Sequence, residues 1–379
     1  MSTERESTLA DLIQNSDIDE LELLDHLMSR EDTRSPNEDD LQPITPEEAV
    51  ERYLRRRQNQ LAVSSIATHR SSLNHFIRWC DIRDIDDLNE LNGRKIQEYL
   101  DWRVEDAPTS VDELAPKSEK TQIDITRKFI EICEAIDAVP VGLHERIPPF
   151  RVSKEDEVRD LTLNKERMDE IIAYLKRYHY ASRQHVIWVL LAEFGPRIGA
   201  LRALDVDDFF PEEKRLRLRH RPESETPLKK DSESNRSVSL LYNDTVDIVR
   251  AYIETKRPTV TDKYGREPLL ATRYGRIAGS TIRKCVYRWS CPASIGGNCT
   301  CDYSSGDESS EAWSCPNAVS PHPVRRGAIT HLLREGVSKE IISDRCDVSP
   351  RVIDHHYDAR SEKERMDVRR RVIMEVLSR

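Results

Sequence analysis

The sequence is short of everything a membrane or secreted protein needs. No apolar run approaches the roughly 18 residues of a bilayer span. The N-terminus, "MSTERESTLADLIQN", lacks the basic and apolar regions of a secretory signal. Cysteine is sparse, with 8 in 379 residues, too few for a disulfide scaffold. In a reducing compartment, a local cluster of thiols then means metal or nothing. Lysine is scarce as well: arginine outnumbers it roughly three to one, which favours planar, bidentate grips on phosphate. These absences predict a soluble, cytoplasmic protein with no membrane partner, long enough for two domains and a tail.

What is present is charge, and it is unevenly spread. The formal net charge of −10 taken alone argues against a polyanionic partner. Yet the first forty residues are strongly acidic, while arginines gather at 52–57, 215–221 and 365–379. A negative total is therefore compatible with a basic face.

The pattern divides the chain. Residues 1–44 carry a few apolar side chains at helical spacing (Leu9, Leu12, Ile13, Leu21, Leu24, Leu27) in an acidic background. They read as a disordered tail or as a partner-binding arm. A helical domain spans 45–140. It opens with Thr45 as N-cap, Pro46 at the first helical position and Glu48 completing a capping box. Three more helical periods follow, around Ile66–Ile77, Ile96–Leu100 and Ile123–Ile136. A proline- and charge-rich linker covers 141–160. The segment 161–379 is mixed. Helices are expected within 161–175 and near 185–194, the second stopped by Gly195-Pro196, and again near 243–256, 280–289, 323–335 and 338–345. "RLRLRH" (215–220) and "SVSLL" (237–241) alternate as the two arms of a β-hairpin. Ser349-Pro350 opens a last turn that runs to "DHHYDAR".

Four places in the second half carry polar chemistry. Arg197 follows the Gly-Pro stop, and Lys229 and Lys230 lie in the hairpin. His322 and Arg325 open the helix in "SPHPVRRGAITHLLREG", and Tyr357 follows two histidines, His355 and His356. Together they suit phosphoryl transfer from DNA to a tyrosine. Two arginines can grip the non-bridging oxygens, where transition-state charge grows. A lysine can protonate the leaving 5′-oxygen, and a tyrosine oxygen can form the covalent link.

The order Arg, hairpin Lys, His-x-x-Arg, Tyr resembles the tyrosine recombinases, the phage-integrase-like site-specific recombinases. "RIGALRALDVDDF" is similar to the family's Arg-Ile-Ser-Glu-Leu followed by Leu-x-x-x-Asp. "SPHPVRRGAITHLLREG" looks like its His-x-Leu-Arg-His-x-Phe-Ala-Thr-His-Leu-Leu. The resemblance implies a mainly α fold with a small β-sheet: a helical core-binding (SAM-like) DNA-binding domain over 45–140 and an α+β catalytic domain over 161–379. Arg197 and Arg325 would clamp the phosphate, with His322 handling a proton or hydrogen bond. Lys229, favoured over Lys230 by counting back from Asn235-Arg236, would be the general acid. Tyr357 would be the nucleophile of a 3′-phosphotyrosyl intermediate. The implied partners are double-stranded DNA, held between the domains, and further copies of the chain in a tetramer on DNA, with the helix after Tyr357 (Met366, Ile373, Val376, Leu377) as a docking element. No catalytic cofactor is implied. The acidic, arginine-rich, lysine-poor balance suits an archaeal, halophile-type member or a genomic bias in base composition.

The departures are specific. Ala200 stands where the family has an acid three residues after its first arginine, and Arg326 where histidine is usual. Cys346-Asp347 lies where Leu-Gly-His precedes the tyrosine, so the last catalytic histidine is absent or supplied by His355 or His356. A catalytically impaired integrase-fold DNA-binding protein, as regulator or relic of a mobile element, is the alternative reading. A topoisomerase with the same chemistry and a zinc-dependent interaction module are others. The insert 285–316 holds Cys291, Cys299, Cys301 and Cys315. These four thiols could make a tetrahedral structural zinc site or simply line a Gly/Ser-rich loop; their spacing is not the paired C-x-x-C form.

Overall fold

The computed structural model describes residues 41–106, 114–151, 161–299, 312–358 and 360–378. Most of the acidic N-terminal tail, part of the linker, and Cys301 lie outside them. The chain forms two compact units that divide between Arg159 and Asp160.

The first unit is built from four helices, α1 (Pro46–Arg57), α2 (Val63–Ile82), α3 (Gly93–Glu105) and α4 (Pro116–Glu134). Each start has a local cause. Thr45 Oγ1 accepts from the Glu48 N–H at 3.2 Å, Asn92 caps α3 through Arg94 and Lys95, and Pro116 opens α4. The capping box expected at Thr45 is half made, because among the described residues Glu48 does not return the bond and stays exposed. The apolar faces close over a largely aromatic core. Phe76 meets Tyr99 and Phe129 edge-on, at centroid distances of 5.2 and 5.3 Å, and Tyr53 meets Phe129 in the same way. Leu143 and Ile147, in the stretch read as linker, are buried in this same core. The folded unit therefore continues past residue 140.

In the second unit, α5 (Lys165–Tyr178) packs on α6 (Arg183–Phe194). Helix α6 is apolar nearly all round and buried accordingly. Gly195 ends it in the left-handed conformation at φ 53°. Pro196 follows, and Arg197 becomes the N-cap residue of α7 (Ile198–Ala203). A three-stranded antiparallel sheet comes next, with β1 (Phe209–Phe210), β2 (Arg215–Leu218) and β3 (Arg236–Ser239) in the order β1-β2-β3. The two arms read from the alternating pattern are β2 and β3, paired with Leu216 opposite Val238. The loop between them is tied down by ion pairs: Arg221 grips the buried Asp208 through both guanidinium nitrogens at 2.8 and 2.9 Å.

Next come α8 (Asn243–Ala251), a small β4–β5 ribbon (Ala271–Thr272, Gly275–Arg276) and α9 (Gly279–Ser290). The chain ends with α10 (Pro321–Arg334), α11 (Lys339–Cys346), the short α12 (Pro350–Val352) and α13 (Glu362–Leu377). Helix α10 lies against α6 and the backbone before α5. Gly327 makes that approach possible: a Cβ there would sit 1.7 Å from the Leu163 carbonyl oxygen. No described helix is long and apolar enough to cross a membrane.

Candidate active site

The site grows from the start of α10. Ser320 is the N-cap residue, Pro321 occupies the first turn, and Arg325 falls one turn in, facing the core. Its side chain is 2% exposed. Burying a guanidinium this deeply requires partners. Nη1 donates to the carbonyl of Gly195, the residue that stops α6, and Nε donates to the Tyr357 hydroxyl at 3.3 Å. Nη2 is buried and has no hydrogen-bond partner among the described residues. A buried N–H left unmade is costly, and this one lies on the same guanidinium that reaches the tyrosine.

Tyr357 is held from both sides. It closes a π-turn, Ile353–Tyr357, and is buried there. Its backbone carbonyl accepts from Thr330 Oγ1 of α10 at 2.6 Å, and its ring is 4% exposed. Just beyond it, Arg360 ties Asp358 to the Leu333 carbonyl at the end of α10. The His322 ring lies 5.5 Å from the Tyr357 ring, centroid to centroid. Desolvation by its neighbours, then the charges of Arg325, Arg326, Arg197 and His356, hold the His322 imidazole below its ordinary pKa although the residue as a whole is exposed. It is therefore neutral near pH 7.

Arg197 enters from α7. Its Nη1 donates to the Asp347 backbone carbonyl and to Asp347 Oδ2, both at 2.6 Å. Among the described residues Nε and Nη2 have no such partner, leaving the side-on edge of the fork open. Burial first, and then the neighbouring Arg325 guanidinium, push the Arg197 pKa down. The two arginines thus lie close enough for each to feel the other's charge.

Among solved structures, the chain is similar to a lambda integrase dimer bound to a COC′ core site, at 12% identity over 95% of this chain and 87% of that one, with a TM-score of 0.57. It is similar also to the Tn1549 transposon integrase in complex with transposon right end DNA, at 14% identity over 89% and 100%, TM-score 0.56. A lambda integrase tetramer bound to a Holliday junction matches at 13% identity over 88% and 82%, TM-score 0.56. The chain therefore shares the fold of these integrases. No protein-family model matches it, nor does any curated protein.

The integrase fold frames the remaining residues. The hairpin loop brings Lys230, not Lys229, to the cluster. Lys230 Nζ is 3.8 Å from Asp347 Oδ1; both lysines are exposed, and Lys229 has no polar partner among the described residues. Ser234 Oγ, from the same loop, donates to Asp347 Oδ2 at 3.0 Å. Asp347 is therefore the hub of the cationic set, and sequence reasoning gave it no role. The signal was there in two pieces: the acid missing at Ala200, and an acid appearing just ahead of Tyr357. Ala200 is buried. Cys346 points elsewhere, donating its thiol to the Phe194 carbonyl at 3.3 Å, with burial pushing its pKa up. His355 is exposed, and His356 acts on the site through its proximity to His322.

Proposed function

We propose that this protein is a DNA strand transferase of the tyrosine type, a site-specific recombinase or integrase. One observation carries the reading: a buried arginine, Arg325, that points one N–H at a tyrosine hydroxyl and keeps the adjacent N–H unpartnered. A phosphodiester on that edge, bridged to the open edge of Arg197, would place phosphorus beside the Tyr357 oxygen. The phenolic oxygen attacks phosphorus and its proton passes to neutral His322. The bond to the 5′-oxygen breaks, a hairpin lysine protonates that oxygen, and a 3′-phosphotyrosyl link remains. The link conserves the energy of the original diester, so a 5′-hydroxyl of a second strand reseals it by the reverse steps. The chemistry therefore draws on neither nucleotide nor metal.

DNA duplex is the substrate in this reading, and further copies of the chain are the partners. Helix α13 supports the second point. It is fastened to its own unit along one side, through Glu364 to Arg334 and Arg371 to the Arg334 carbonyl. Its other side leaves Ile373, Met374, Val376 and Leu377 exposed, an apolar stripe suited to a neighbouring protomer in a tetramer on DNA.

A second reading has one observation in its favour: an anion, Asp347, already pairs with Arg197 and offsets the charge a phosphate would meet. The protein would then bind DNA without cutting it. One experiment separates the two. The full chain is mixed with nicked duplexes from the DNA flanking its gene, in low and multimolar salt, and covalent protein–DNA adduct is read on denaturing gels. An adduct that disappears in Tyr357→Phe, with DNA binding retained, establishes the nucleophile and the reaction class. Tight binding with no adduct in either salt leaves the binding-only reading.

A further inference from the structure

Three thiols converge outside the site just described. Cys291 directly follows α9, Cys315 lies in the turns leading to α10, and Cys299 falls between them in the chain. Their sulfurs all lie within 4.8 Å of one another, with Cys299 and Cys315 3.4 Å apart. Cys291 and Cys315 are 0% and 2% exposed. A disulfide has its sulfurs at about 2.05 Å, so the 3.4 Å pair is not a bond. A tetrahedral metal with metal–sulfur distances of about 2.3 Å sets its sulfurs roughly 3.8 Å apart. The observed separations bracket that value. Cys285, one helical turn and more before the trio, is not part of it; burial pushes its thiol up to about 12 and keeps it protonated.

We propose that Cys291, Cys299 and Cys315 bind a single Zn²⁺ as thiolates, in a structural site. The donor set selects a soft, tetrahedral ion over Mg²⁺ or Ca²⁺, which take oxygen. Binding releases the three thiol protons to solvent. The site joins the C-terminal end of α9 to the approach to α10, where a smaller tie already exists: the Val319 N–H donates to Ser290 Oγ at 2.9 Å. Metal there fixes the start of α10, the helix that carries His322 and Arg325. It would do so whether the chain cuts DNA or only binds it. Cys301, named with the trio from the sequence, lies outside the described residues; the fourth donor is read from the sulfur count below.

The test is made on the full-length chain, purified without chelator and again after refolding with ZnCl₂ as the only added metal. Elemental analysis should find about one zinc per chain, and zinc-edge X-ray absorption should show a shell of at least three sulfurs near 2.3 Å. Cys291→Ser and Cys315→Ser should each lose the metal, and Cys285→Ser should keep it. Absorption spectroscopy on the parent protein carries the test even where a serine unsettles the fold. Chelation should lower the thermal midpoint, and Zn²⁺ should restore it. The proposal is overturned by a chain that stays metal-free in ZnCl₂ or by iron with acid-labile sulfide. It is overturned equally by a zinc shell of nitrogen and oxygen alone, or by a Cys299–Cys315 disulfide in non-reducing peptide mass spectrometry.

Discussion

Asp347 holds Arg197 by two atoms at once, its backbone carbonyl and its carboxylate, both on the same guanidinium nitrogen at 2.6 Å. The residue adopts a left-handed backbone, φ 53°, to do so. That conformation is costly for any side chain but asparagine, aspartate or glycine. A fork gripped at one nitrogen presents its other edge in a fixed direction, which is what a phosphate clamp requires.

Asp347→Asn tests whether the carboxylate positions the clamp or blocks it. Asparagine tolerates the left-handed backbone and keeps an acceptor, so the fold should survive. Loss of one negative charge beside the pocket should tighten DNA binding slightly. Loss of the charge-assisted hold on Arg197 should slow adduct formation by about tenfold, less than the roughly 100-fold or more that removing an oxyanion donor outright costs. Single-turnover trapping on a nicked duplex reads both effects. A rate equal to the parent or above it would show that the carboxylate only competes with phosphate.

The two hairpin lysines give a second comparison. Lys230 reaches the Asp347 carboxylate and Lys229 does not. As general acid, Lys230→Ala should lower cleavage by about 100-fold, the usual scale of a lost proton donor, with Lys229→Ala far milder. A substrate with sulfur in place of the leaving 5′-oxygen needs no proton and should rescue Lys230→Ala alone. The opposite pattern would return the role to Lys229, where counting back along the chain had put it.

Gly327 explains why α10 can carry a buried arginine at all. An added Cβ would lie 1.7 Å from the Leu163 carbonyl oxygen and 2.9 Å from its carbon, backbone atoms that cannot rotate away. Gly327→Ala should therefore cost about 3 kcal/mol or more, the upper range for overpacking, and break the bond from the Leu163 N–H to the Pro323 carbonyl. Gly199→Ala is the control, because its Cβ meets nothing within 4 Å. In that exposed helical position it should stabilise by about 0.5–1 kcal/mol. Urea unfolding of both variants settles the point.

The legible parts of this protein are those whose cause is local. Helical period placed most helices of both units but not the short α7, and the Gly195-Pro196 stop marked the end of α6 just ahead of Arg197. Strict alternation placed both arms of the hairpin. Strand β1, only two residues long, exists through its pairing with β2 and leaves no period to read. The π-turn at Tyr357 was hidden for a similar reason, since an extra residue in a turn has no compositional mark. Asp347 was hidden because its partners come from residues 113 and 150 positions away. The sequence shows an acid missing at Ala200 and another present before Tyr357, but only the fold brings the second into reach of Arg197.

His185 makes the last prediction, and it concerns stability alone. The ring is 0% exposed. Its Nδ1 accepts the Ala181 N–H at 3.3 Å, which fixes the proton on Nε2, and Nε2 has no hydrogen-bond partner among the described residues. Burial first, then the nearby Lys176 ammonium, hold its pKa down to about 4, with Asp244 opposing weakly. Between the unfolded value of 6.5 and about 4, the unfolded chain takes a proton that the folded chain refuses. The linkage sign is then fixed: stability is complete above pH 6.5 and falls as pH drops through that window. The full loss is about 3 kcal/mol, at 1.36 kcal/mol per pKa unit. Paired carboxylates elsewhere lose stability in acid too, so the measurement is a difference. Asparagine offers an acceptor oxygen near the position of Nδ1 and does not titrate. Urea midpoints of parent and His185→Asn, followed from pH 7.5 to 4, should converge as the parent loses its advantage. Parallel curves across that range would mean that the imidazole is protonated in the folded state, and that the Ala181 bond is not what holds it.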